Sequence, residues 1–230
     1  TAFSAGGSLN GGAGNDTLVV TTVADSNIAG LPHIVGFETL KLDGVATGGK
    51  HNAYTFKALE IGTIAIAAAA TATEFENVAA GVGLTVLADN AGDTTTVTLA
   101  NATGEADVFD LTLKSDGDLD AGTVVLAGVE TININSVDTD IDTSIPTTVN
   151  DNDLILTATA AKSIVVTGNT NLDLVNTSAT LVTSFDASNA TGNIEYTSAN
   201  ATIGEIVTIK GGAGDDILEG NSAITVNDII

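Results

Sequence analysis

The sequence predicts an all-β fold, a right-handed parallel β-solenoid of the β-helix or β-roll kind. Three observations carry this expectation. Two near-identical glycine-rich nonapeptides stand close to the two ends of the chain: Gly11-Gly12-Ala13-Gly14-Asn15-Asp16-Thr17-Leu18-Val19 and Gly211-Gly212-Ala213-Gly214-Asp215-Asp216-Ile217-Leu218-Glu219. Short β-rich segments recur between them every ten or so residues, separated by Gly, Asn, Asp or Ser. The apolar residues are mostly Ala and Val, and only 3% of the chain is aromatic, which suits a thin core between short strands.

The opening turn comes first along the chain. Gly6-Gly7-Ser8-Leu9-Asn10 reads as a degenerate turn leading into the first nonapeptide. Both nonapeptides fit G-G-x-G-x-D-x-U-x, where U is a large apolar residue. Glycine takes positive φ without steric cost, so the loop can turn its carbonyls inward. The aspartate adds a charged oxygen, and the apolar residue two positions on starts a short buried strand. A hard cation that takes six to eight oxygens, calcium, is the ion such a turn suits. Candidate ligands are the carboxylates of Asp16 and Asp216 with the carbonyls of Gly11, Gly12, Gly14, Gly211, Gly212 and Gly214. The neighbouring turns are incomplete, so each site is expected to draw ligands from the rest of the fold.

Strands are expected at 17–23, 39–42, 84–87, 96–99, 108–113, 123–126, 131–134, 154–159, 163–167, 172–175, 194–197 and 205–209. Two strands and two turns of this size make a rung of about 20 residues, the solenoid regime. Strict alternation in Val97-Thr98-Leu99 and Ile132-Asn133-Ile134 buries one face and leaves the other wet. A softer repeat joins Gly36-Phe37-Glu38-Thr39-Leu40, Phe75-Glu76-Asn77-Val78 and Gly128-Val129-Glu130-Thr131-Ile132. It predicts one stacked position shared between rungs, with Glu38, Glu76 and Glu130 as stack residues or bridging ligands and Glu76 read as structural. The segment 57–75, with alanines at 67–70, admits either a short helix, alanine being the best helix former, or a tightly packed strand turn.

Further acidic clusters extend the list of metal candidates. Asp138, Asp140 and Asp142 alternate as the first half of a calcium loop does, but without the sixth-position glycine and distal glutamate of an EF-hand. Asp116, Asp118 and Asp120 share that spacing. Asp151 and Asp153 precede an apolar run and are expected to complete a site with the loop before them. That loop, 136–153, is also the best candidate for a hinge or an inter-strand excursion. Asp107 and Asp110 flank Phe109, and one of them should face away from the core.

Charge narrows the function. With 29 acidic and 6 basic residues the formal charge is −23, which excludes generic nucleic-acid binding through phosphate neutralisation. Divalent cations are the natural offset to such self-repulsion. The longest apolar run, 64–70, is far short of the ~18 residues of a membrane span, so no membrane insertion is expected. There is no Cys for disulfide or thiol chemistry. His33 and His51 lack a metal-ligand partner at i+4, and no nucleophile elbow or phosphate-binding lysine loop is present. A non-enzymatic role is expected. The chain is read as a single elongated solenoid over 1–230, with opening turns at 1–24, a body at 25–204 and closing turns at 205–230 that continue into a longer parent chain.

The nonapeptides, the hemolysin-type calcium-binding repeat of RTX proteins, set the first resemblance. Gly36-Phe37-Glu38-Thr39-Leu40, Leu84-Thr85-Val86-Leu87-Ala88, residues 95–104, Ala127-Gly128-Val129-Glu130-Thr131, residues 162–169, Thr183-Ser184-Phe185-Asp186-Ala187-Ser188 and residues 204–214 set a broader one. In this order they resemble the carboxy-terminal lattice-forming region of the Caulobacter-type RTX surface-layer (S-layer) family. The resemblance implies a structural protein exported by type I secretion, folding outside the cell when it meets Ca2+. It implies assembly into a two-dimensional lattice on the bacterial cell surface through lateral homo-oligomer contacts, some bridged by calcium. In that family a separate region, unmatched here, holds the sheet to lipopolysaccharide. The alternative is an RTX adhesin or the repeat domain of a type I-secreted exoprotein, which shares the solenoid and calcium but stays monomeric.

Overall fold

The computed structural model describes residues 8–20, 34–43, 49–52, 61–68, 72–139, 150–202 and 204–220. They form a parallel β-solenoid with no helix among them. Among the described residues nineteen strands run in chain order: β1 Leu9–Asn10, β2 Thr17–Val20, β3 Ile34–Val35, β4 Thr39–Leu42, β5 Gly49–Asn52, β6 Thr63–Ile66, β7 Thr73–Val78, β8 Gly83–Val86, β9 Thr94–Leu99 and β10 Val108–Ser115. They continue as β11 Leu119–Ala127, β12 Thr131–Asp138, β13 Asp151–Thr157, β14 Ser163–Gly168, β15 Asn171–Asn176, β16 Ser184–Ala190, β17 Ile194–Thr197, β18 Thr208–Lys210 and β19 Ile217–Glu219.

Successive strands go to alternate sheets. One sheet stacks β18-β16-β14-β12-β10-β8-β6-β4-β2, the other β19-β17-β15-β13-β11-β9-β7-β5, and β1 pairs β3 apart from both. Every pairing is parallel, so each strand lies beside its counterpart one rung away. The period-2 pattern of the sequence explains why: Thr94–Leu99 alternates half-buried and buried along its whole length, and such a strand needs a second sheet to cover its apolar face. In register across the first sheet, Leu18, Leu40, Ile64, Leu84, Leu111 and Ile134 form one continuous buried column. Phe185 of β16 and Tyr196 of β17 stack face to face across the core, their centroids 3.9 Å apart.

The expected rung length holds where turns are short and stretches where they are long. Backbone-to-side-chain contacts between equivalent turns span 22 residues from Asp16 to Glu38 and 22 from Ile194 to Asp216. Asp118 to Asp151 spans 33 because the segment between β12 and β13 is inserted there. Within residues 57–75, Thr63–Ile66 is β6, with Ile64, Ala65 and Ile66 buried, while residues 57–60 and half of the alanine run lie outside the described residues. Residues 69–71 lie outside the described residues, as do His33, Asp140 and Asp142.

Candidate metal centre

In the first nonapeptide, Gly12 and Gly14 have φ of 97° and 139°, which turns the loop tightly ahead of β2. Gly11 donates to the Val35 carbonyl at 3.1 Å, and Gly12 donates to Asn10 Oδ1 at 3.0 Å. Asp16 is the pivot. Its N–H donates to Glu38 Oε2 at 2.7 Å, and its carbonyl accepts from Glu38 and Thr39, both at 3.1 Å. The Asp16 side chain folds back over Gly11, where an added Cβ would lie 2.7 Å from Asp16 Cβ. Asp16 Oδ2 is buried and has no hydrogen-bond partner. A buried carboxylate oxygen without a donor costs free energy, and a cation is the partner that removes the cost. The residues present therefore fit calcium.

The near copy is built differently. Asp216 Oδ2 accepts from Gly212 N at 2.7 Å, and Asp216 Oδ1 accepts from Ile194 N at 2.9 Å. Gly211 lies directly under the Asp216 carboxylate. Gly212 and Gly214 are needed for close approach and not for φ, since an added Cβ on either would lie 2.5 Å from a carbonyl oxygen of the rung before, Ala190 or Gly192. So the first turn is tied forward to the following rung through Glu38, and the second is tied back to the preceding one. Each Asp216 oxygen keeps a further lone pair for a metal.

The clusters in the middle divide. Asp138 ends β12, and its carboxylate accepts from Asn150 at 3.0 Å, while its backbone exchanges bonds with the Asn169 amide. Asp151 and Asp153 sit on β13, both exposed, rather than in a loop. The loop expected over 136–153 is shorter, since 136–138 and 151–153 are strand, with Asn152 between the aspartates buried and bonded to Ser136 Oγ at 2.8 Å; residues 140–149 lie outside the described residues.

Two features escaped the sequence. One is a corner ladder: Asp118 Oδ1 accepts from Asp151 N at 3.1 Å and Asp151 Oδ1 from Asn171 Nδ2 at 2.6 Å. Asn171 Oδ1 then accepts from Asn193 N and Asn193 Oδ1 from Asp215 N, each at 2.8 Å. The ladder runs from the acidic middle to the second nonapeptide, and asparagines at rung spacing were the available signal. The other is a file of like charge, since Asp120, Asp153, Asp173 and Glu195 face one another in register on β11, β13, β15 and β17. Partial desolvation on the sheet surface pushes the Asp153 carboxyl above its ordinary range, and Asp173, Asp120, Asp151 and Asp118 push it further. Among the described residues, no group of three or more Asp, Glu or His side chains is disposed to hold a metal by side chains alone. Backbone oxygens must contribute, as a glycine turn allows.

The shared stack position holds for Glu38 and Glu130 only. Glu76 lies within β7 and pairs with Lys50 Nζ at 2.9 Å, on the other sheet from the strands that Glu38 and Glu130 precede. His51 is buried against Phe75, 5.5 Å between centroids.

Among known families, the model of the RTX calcium-binding nonapeptide repeat (4 copies) matches residues 8–20 and 207–223. A comparison with curated proteins finds no match. The chain therefore carries calcium-binding repeats of RTX type on a parallel β-solenoid, and calcium is its metal. Proteins with such repeats are typically secreted and extracellular, and the architecture is typical of structural or binding proteins.

Proposed function

We propose that this protein is a calcium-dependent structural tile of a bacterial cell-surface lattice, an S-layer. The observation that carries the reading is the placement of RTX turns at both ends of the described solenoid, 8–20 and 207–223, around a body of strongly negative charge. Asp16, with Gly11, Gly12 and Gly14, holds one ion, and Asp216, with Gly211, Gly212 and Gly214, another. Asp138, Asp151 and Asp153 add negative surface that calcium screens. When bound, calcium supplies a divalent charge shared between turns. The chain's own residues do the rest: Glu38 fixes the Asp16 backbone, and Asp216 clamps its turn to Ile194.

Metal binding and folding are then coupled, because the turn oxygens converge only in the folded rung. Extracellular modules bind calcium at about 10⁻⁴–10⁻³ M, so the chain stays unfolded where calcium is scarce and folds outside the cell. Repulsion keeps calcium-free monomers apart; with calcium, lateral contacts between copies form. Electron microscopy of the purified protein in millimolar calcium tests this. Ordered two-dimensional sheets support the tile, whereas dispersed rods at every calcium concentration reject it in favour of a monomeric RTX adhesin or repeat domain.

A further inference from the structure

We infer that a third calcium turn lies mid-chain, at residues 102–110, in a segment that lacks the nonapeptide's glycines. Its sequence, Ala102-Thr103-Gly104-Glu105-Ala106-Asp107-Val108-Phe109-Asp110, shares with the first nonapeptide only the aspartate and the apolar residue two positions later. The geometry nevertheless repeats position by position. In 11–19 and in 102–110 alike, the first and sixth residues are half-buried, the eighth (Leu18 or Phe109) is buried and the other six are exposed.

The bonding repeats as well. Asp107 N–H donates to Glu130 Oε2 at 2.9 Å, as Asp16 N–H does to Glu38 Oε2 at 2.7 Å. The Asp107 carbonyl accepts from Glu130 at 3.1 Å and Thr131 at 3.0 Å, as that of Asp16 does from Glu38 and Thr39. Two residues before each glutamate stands a glycine at positive φ, Gly36 at 68° and Gly128 at 70°.

The observation that points to an ion is the carboxylate. Asp107 Oδ2 is buried without a hydrogen-bond partner, the same orphan atom as Asp16 Oδ2. Glu130, only 8% exposed, brings a second negative charge to the turn. The Glu130 carboxylate sits on the Asp107 N–H, in the same turn as the dry unpartnered Asp107 oxygen, and no lysine among the described residues is bonded to either. That arrangement is costly as it stands and favourable around a hard divalent cation. Turn carbonyls and water complete the six to eight oxygens calcium takes. Asp110, across Phe109, instead faces outward and accepts from Asn133 Nδ2 at 2.8 Å.

The inference does not depend on lattice assembly. Equilibrium dialysis with radiolabelled calcium on the full 230-residue chain tests it, comparing wild type, Asp107→Asn and Asp110→Asn. Asp107→Asn is expected to bind one ion fewer per chain while keeping its β circular dichroism in saturating calcium, and Asp110→Asn to bind the full number. An unchanged count in Asp107→Asn overturns the site, and so does equal loss in Asp110→Asn, which would mark a diffuse charge effect. Should Asp107→Asn not fold, wild-type crystals soaked in terbium decide. An anomalous peak beside Asp107 Oδ2 supports the site, and peaks confined to the two nonapeptides reject it.

Discussion

Asp16 and Asp216 occupy the same place in their motifs and differ in what satisfies them. Asp216 accepts two backbone N–H groups, whereas one oxygen of Asp16 has no partner. Asp16→Asn should therefore weaken calcium binding and leave the joint to the neighbouring rung intact. Asp216→Asn should weaken the calcium-linked transition and also loosen the joint to Ile194, by about 1–3 kcal/mol for the disturbed charged hydrogen bonds. Chemical denaturation of both variants at limiting and at saturating calcium checks the contrast. A similar residual loss for the two at saturating calcium would contradict it.

Asp153 and Asp186 make opposite predictions with pH. The folded-state pKa of Asp153 is raised, so the folded protein binds its proton more tightly than the unfolded chain does. Stability rises as pH falls through that raised pKa toward the ordinary carboxylate value, and Asp153→Asn stabilises the folded protein at neutral pH by about a few tenths of a kcal/mol, as relief of an in-register like-charge contact does. The Ser188 hydroxyl, then the Ser188 N–H and Lys210, hold Asp186 below its usual range. Its contribution is present above the unfolded pKa and is lost as pH falls through the folded one. Thermal melts of wild type, Asp153→Asn and Asp186→Asn at one fixed calcium concentration between pH 3 and 7 read the two signs, and a lowered melting temperature for Asp153→Asn at neutral pH would count against the charge file.

At the scale of the element, a rung is held by its inward column and by its corners. Leu113 is fully buried between β8 and β12 neighbours, so Leu113→Ala should cost about 2–5 kcal/mol. Gly212 presses on the preceding rung, and Gly212→Ala should displace the second nonapeptide and lower calcium affinity more than Gly12→Ala does. Gly12 has nothing within 4 Å of an added Cβ, and only its φ resists substitution. Calcium titrations of the two variants, followed by circular dichroism, rank them.

At the scale of the whole molecule, stability is a balance between stacked apolar columns and a charge of −23. Calcium enters on the side of the columns. Chelation should abolish most of the β circular dichroism, and calcium addition should restore it cooperatively. A β signal indifferent to chelator would remove the coupling of metal and fold on which the lattice proposal rests.

By itself the sequence determined the parallel solenoid, the ion and many of the strands, though those at 49–52, 63–66 and 184–190 did not stand out from it. Alternation at Val97-Thr98-Leu99, turns at rung spacing and G-G-x-G-x-D-x-U-x are local patterns, and local chemistry is enough to read them. Only the tertiary structure decided which residues meet. It set Glu38 and Glu130 beside Asp16 and Asp107 and left Glu76 on the other sheet. It lined up Asp120, Asp153, Asp173 and Glu195, and it gave two near-identical nonapeptides different bonds. The physical reason is that a solenoid makes its decisive contacts one rung away, and the insertions between strands set that distance. A gap of 22 residues in one rung and 33 in another cannot be phased from a single sequence. Asp107 shows the consequence, because its role comes from the glutamate stacked beside it and not from its neighbours in the chain.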